Sequence, residues 1–181
     1  PNAIQITSQN PNPHMHPNLH YTDGGWNVLY SVYNEVHCVE MDLNGAVTKN
    51  VALPDFPGAG AYVSSVWNGN AMVAVYTDPS TGLALVSIYS NCSLATEGHM
   101  VPRVADTYAS VPPQIAWNGN EYAIAYDKDV AGQRLIGVLR LDENFTILDD
   151  AYPLVTDGDM PSLAWAGDRW AMRYEGASAG V

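Results

Sequence analysis

The sequence predicts an all-β fold built from repeats, on three observations. A twelve-residue motif recurs along the chain, apolar residues alternate with a period of two, and no segment shows a helical period. Ile115-Ala-Trp-Asn-Gly-Asn-Glu-Tyr-Ala-Ile-Ala-Tyr126 is matched by Ser65-Val-Trp-Asn-Gly-Asn-Ala-Met-Val-Ala-Val-Tyr76 and by Leu163-Ala-Trp-Ala-Gly-Asp-Arg-Trp-Ala-Met-Arg-Tyr174. A more diverged copy is Leu19-His-Tyr-Thr-Asp-Gly-Gly-Trp-Asn-Val-Leu-Tyr30. The anchor aromatics Tyr21, Trp67, Trp117 and Trp165 stand 46, 50 and 48 residues apart. Nine positions after each comes a tyrosine, at Tyr30, Tyr76, Tyr126 and Tyr174. Pro17, Pro113 and Pro161 each precede their anchor by four, where the second copy has Val63.

The third copy displays the unit most clearly. Gln114–Trp117 reads as a first strand, Asn118-Gly119 as the hairpin turn, and Tyr122–Tyr126 as a second strand. Arg134–Leu141 is a third strand and Ala151–Val155 a fourth. Four strands per unit, in units of 46–50 residues with no helix between them, predict a β-propeller in which each unit is one blade. The fourth copy has only two strands before Val181, and Ala3–Ser8 alternates like an outer strand. The expectation is one propeller domain over residues 1–181, its last blade completed by that N-terminal strand, which removes an open edge. A half-ring that forms a homodimer and a fragment of a larger propeller are the alternatives.

Composition narrows the partners. Seven Lys+Arg against 19 Asp+Glu give a net charge of −12, and the lysines are Lys49 and Lys128 alone. A nucleic-acid surface needs clustered cations, and an anionic membrane surface attracts them, so neither is an expected partner. At 47% hydrophobic and 14% charged the chain is globular, with 11 Tyr, 5 Trp and 2 Phe for its core. The longest apolar runs, around Ala71–Tyr76 and Leu83–Tyr89, are strand-sized and far short of a membrane-spanning helix. The chain begins at Pro1 with no basic-then-apolar leader, which reads as processed or trimmed. Cys38 and Cys92 fit either one disulfide in an oxidising compartment or two buried thiols.

At Pro113–Tyr126, Arg140-Leu-Asp-Glu-Asn144 and Pro161-Ser-Leu-Ala-Trp-Ala-Gly-Asp168 the chain resembles the propeller repeats of secreted bacterial proteins. It is also similar to the surface copper-binding proteins of methanotrophs, of the MopE C-terminal domain and CorA type. The resemblance implies a secreted or outer-surface location and a His-based copper site. In that family two His and an oxidised Trp, two residues before one His, hold the metal. This chain has no Trp-x-His, so the ligand pattern itself does not carry over.

Three of the five histidines, His14, His16 and His20, fall in Gln9-Asn-Pro-Asn-Pro-His-Met-His-Pro-Asn-Leu-His20, where one repeat hands over to the next. From Thr7 to Pro17 this handover covers ten positions, against five from Thr156 to Pro161, so the His segment reads as an insertion. On an extended strand, separations of two and four put all three imidazoles on one side, and imidazole suits copper and zinc. Met15 adds a thioether if the prolines bend the run. The competing reading makes His20 a core-edge residue, because it fills the slot of Val66, Ala116 and Ala164. His37 and His99 read as structural or surface residues.

The acidic turns Asp78–Gly82, Asp127–Gly132 and Asp157–Asp159 offer oxygens to calcium but read first as hairpin turns. Trp26, Tyr122 and Trp170 share one repeat position, with Met72 in the remaining copy, and present either sugar-stacking faces or blade-to-blade packing. No Gly-x-Ser-x-Gly, phosphate loop or His-Glu-x-x-His is present, so no enzyme is expected. The leading expectation is a secreted copper-binding propeller that captures the metal through His14, His16 and His20. A carbohydrate-binding propeller and a protein-interaction scaffold are the alternatives.

Overall fold

In the computed structural model, residues 14–32, 35–54, 63–78, 82–95, 99–100 and 112–176 are described. They form an all-β structure of fourteen strands in four antiparallel sheets. The first sheet contains β1 (His14–Thr22), β2 (Gly25–Val32), β3 (Glu35–Met41) and β4 (Val47–Leu53), in chain order. The second contains β5 (Val63–Trp67), β6 (Met72–Asp78), β7 (Gly82–Ile88) and the short β8 (His99–Met100). The third runs β9 (Gln114–Trp117), β10 (Glu121–Val130), β11 (Gln133–Asp142) and β12 (Ile147–Thr156). The fourth pairs β13 (Gly158–Trp165) with β14 (Trp170–Gly176). The segment Ala3–Ser8 expected to complete the last unit lies outside the described residues.

The repeated motif has one meaning in all four sheets. Each anchor aromatic lies at the end of the first strand, last in three copies and last but one in the first, and pairs across the hairpin with the residue five positions on: Tyr21 with Trp26, Trp67 with Met72, Trp117 with Tyr122, Trp165 with Trp170. The tight turns in the last three demand a left-handed first residue, which glycine supplies at no steric cost. Gly69, Gly119 and Gly167 have φ of 98°, 104° and 96°. Asn68 and Asn118 complete their turns by accepting two backbone N–H bonds each on Oδ1, at 2.8–2.9 Å.

The first strands β1, β5, β9 and β13 lie side by side in succession, and the sheets stack face to face behind them. Leu29, Val36 and Cys38 of the first sheet pack on Met72, Ala74, Tyr76, Val86 and Ile88 of the second. The opposite face of the second sheet, with Val73, Val75, Leu83 and Leu85, packs on Tyr122, Ile124, Tyr126 and Leu139 of the third. The middle sheet is thus covered on both sides, which explains why its strands read as continuous apolar runs rather than as alternation. All seven residues of β7 are buried, whereas most of β12 is exposed. Each fully buried Leu, Ile or Val in these interfaces contributes about 1.5–3 kcal/mol.

Candidate ligand-binding sites

The sequence places His14, His16 and His20 in an inserted handover, and the structure instead puts them in regular repeat positions of β1. This strand begins seven residues before Tyr21, as β13 begins seven before Trp165, so His14, His16 and His20 are the equivalents of Gly158, Met160 and Ala164. The added length therefore precedes His14 and lies outside the described residues. Both strands carry the same irregularity. The register shifts between Met15 and Asn18 and between Asp159 and Ser162, and the residue before each proline is left-handed, His16 at φ 52° and Met160 at φ 48°.

That bulge interrupts the alternation on which a one-sided histidine cluster depends. His14 pairs with Val32, and His20 pairs with Asn27. Along β2 those two partners fall on opposite parities of the strand, so the three positions do not share one register face. The side chains of His14 and Met15 lie outside the described residues. His20 Nε2 shares a 2.7 Å hydrogen bond with Ser65 Oγ of the second sheet. Asn18 reinforces the same junction: its Nδ2 donates to the carbonyls of His16 and Val63, at 2.7 and 3.3 Å, and its Oδ1 accepts from Ser65 N at 3.1 Å. Burial lowers the pKa of both His16 and His20, which favours the neutral imidazole.

The turn between third and fourth strands also repeats. Gly45, Cys92 and Phe145 occupy one position, each donating its N–H to a carbonyl three residues back, at Asp42, Tyr89 and Asp142. All three are left-handed, with φ of 82°, 59° and 65°. Cys92 reaches back to the first sheet and bonds Cys38, with Cα atoms 5.7 Å apart. This chooses the disulfide over two thiols. Asn27 Nδ2 donates to Ser90 O at 2.7 Å and Lys49 Nζ to Asn91 O at 2.6 Å, so the turn is tied to the first sheet from both sides.

At the next junction the equivalent turn leaves space. A cleft of about 410 Å³ opens between the second and third sheets, lined by Asn68, Asn70, Tyr89, Glu143, Asn144 and Phe145, with Tyr122 at its base. Asn68 Nδ2 donates to the Tyr122 hydroxyl at 2.6 Å and so spans the junction. Burial, and after it the charge of Glu143, raises the pKa of the Tyr122 phenol. The ring of Tyr122 is fully buried between Trp117 and Phe145, at centroid distances of 4.3 and 5.6 Å. Its repeat position therefore serves packing here, while Trp26 and Trp170 at the same position are half-buried. The ring that faces solvent at the cleft is Tyr89, 42% exposed.

A third cluster joins the third and fourth sheets. The side chain of Asp127 is 4% exposed, and its Oδ1 has no hydrogen-bond partner. Burial first, then the Asp159 carboxyl, push its pKa up to about 6. Arg134 forms a short ion pair with Asp159 and lies 3.8 Å from Asp127. Beside them Asp129 caps the Gly132 N–H at 2.8 Å, and Asp157 accepts from Gln133. These acidic turns direct their carboxylates to backbone, to Gln133 and to Arg134, and the side chain of Asp78 is outside the described residues. Among the described residues no group of three His, Cys, Asp or Glu side chains is placed to hold a metal ion.

Compared with known proteins, the chain matches no family model and has no significant similarity to a curated protein. Sequence reasoning passed over Tyr89, Asn144 and Phe145, which line the cleft. The signal within reach was the repeated Asn in the third turn, at Asn44, Asn91 and Asn144, combined with a large ring where the first copy has glycine.

Proposed function

We propose that the protein is an extracellular β-propeller, its four sheets the blades, that binds carbohydrate without catalysis in the cleft between its second and third sheets. The cleft carries this reading. Asn70 and Asn144 offer side-chain amides that make no hydrogen bond among the described residues, and amides both donate to and accept from sugar hydroxyls. Tyr89 offers a solvent-facing ring for the apolar face of a sugar. The volume lies within the roughly 300–1,000 Å³ of small-molecule sites, and the lining is too polar for an apolar ligand. The Cys38–Cys92 bond supports an oxidising, extracellular location. Successive packing of the first strands supports the propeller. A glycan array tests the function: binding that Tyr89→Ala weakens supports it, and an array without hits removes it.

A second reading, copper capture at β1, is favoured by the half-buried, neutral imidazoles of His16 and His20, since a neutral ring nitrogen binds metal without first losing a proton. His14 is the further ligand candidate on the same strand. Elemental analysis of the native protein together with copper titration of His16→Ala decides it: unchanged affinity in the variant sinks the assignment.

A further inference from the structure

We infer that the cleft selects neutral or amino sugars and rejects anionic ones, an inference that rests on the carbohydrate reading of the cleft. Glu143 is the charged group among the described lining residues, and none of those residues is Lys or Arg. The other polar groups there, the Asn68, Asn70 and Asn144 amides and the Ser87 hydroxyl, are neutral. Arg140 grips Glu121 with 2.7 and 2.9 Å hydrogen bonds and also faces Asp149, while Lys49 is held by the Asn91 carbonyl at the neighbouring junction.

A uronate or sulfate entering the cleft would therefore meet the Glu143 carboxylate with no opposite charge among the described lining residues to offset it. Partial enclosure between two sheets strengthens that repulsion relative to open water. The −12 net charge of the whole chain adds a long-range field of the same sign, which slows the approach of anions and favours cations. A protonated amino sugar gains from both. Specificity here comes from a repulsive element as much as from an attractive one.

The test is calorimetric titration of the intact protein at 150 mM salt with three probes: a neutral glucose trimer, a glucosamine trimer and a galacturonate trimer. The expected result is galacturonate binding at least tenfold weaker than the neutral trimer, glucosamine binding at least as tightly, and a narrowed gap in Glu143→Gln. Glu143 is exposed in a surface turn, so this variant keeps the fold. Equal affinity for galacturonate, or a gap unchanged by Glu143→Gln, overturns the charge selectivity and leaves the carbohydrate reading standing. No binding of any trimer overturns both.

Discussion

Cys92 and Phe145 occupy the same position of the same turn in consecutive sheets, with φ of 59° and 65°, and their side chains have opposite consequences. Cys92 points into the preceding junction and closes it with a covalent bond to Cys38. Phe145 packs on Tyr122 and leaves a cleft beside itself. A single repeated scaffold position thus carries a covalent bond at one junction and lines a cleft at the next.

Removing the disulfide should cost stability and leave ligand binding intact. The bond closes a loop across a sequence separation of 54, for which the chain-entropy argument gives about 4 kcal/mol. Both sulfurs are buried, so alanine at both positions also leaves a small void. Chemical denaturation of Cys38→Ala/Cys92→Ala should show a loss of that order, and glycan affinity within twofold of the parent.

Acidification from pH 7 to pH 4 should stabilise the third and fourth sheets at the Asp127 site. The folded pKa of Asp127, about 6, is above the ordinary carboxylate value, so the folded state binds the proton more tightly than the unfolded one. Its contribution to stability is lost as pH rises through about 6 and gained as pH falls from there toward the unfolded value. Asp127→Asn should raise stability at pH 7.5 by on the order of 2 kcal/mol and flatten that part of the pH profile. Urea unfolding at several pH values measures both, and a variant less stable than the parent at pH 7.5 contradicts the assignment.

Gly137 is required by the tyrosine nine residues after the third anchor. The ring of Tyr126 lies so close over Gly137 that an added Cβ would collide with it. The same ring stacks on Tyr152 at 6.0 Å and its hydroxyl donates to Asp150, so it has little room to retreat. Gly137→Ala should destabilise by about 1–3 kcal/mol, read as a lowered thermal midpoint.

The strands and hairpins were legible because their signals are local. Alternating Val, Ile, Tyr and Trp, and an Asn-Gly turn three residues after Ile115, state the hairpin of β9 and β10 without reference to anything distant. The histidine site was less legible. A proline four before the anchor gives no hint that His16 and Met160 take the same left-handed bulge, and that bulge removes the parity on which the grouping of His14, His16 and His20 rested. The cleft was the least legible: the repeated turn Asn and the ring at Phe145 hint at it, but Asn70, Tyr89 and Asn144 meet only through the stacking of two sheets. The disulfide stood between: both cysteines were visible, but only the left-handed turn brings Cys92 back to β3.

Tyr89→Ala should weaken a neutral glycan roughly tenfold through loss of the stacking face, with a smaller effect on thermal stability than loss of a buried ring because Tyr89 is 42% exposed. Glycan titration followed by fluorescence, alongside a melting curve, separates the two effects.

The most direct measurement is an amide chemical-shift titration of the isotope-labelled protein with a neutral oligosaccharide. The account predicts saturable shifts confined to Asn68–Ala71, Tyr89 and Glu143–Phe145, residues of the three turns that flank the cleft. Shifts clustering on β1, or no shifts at millimolar sugar, would contradict it.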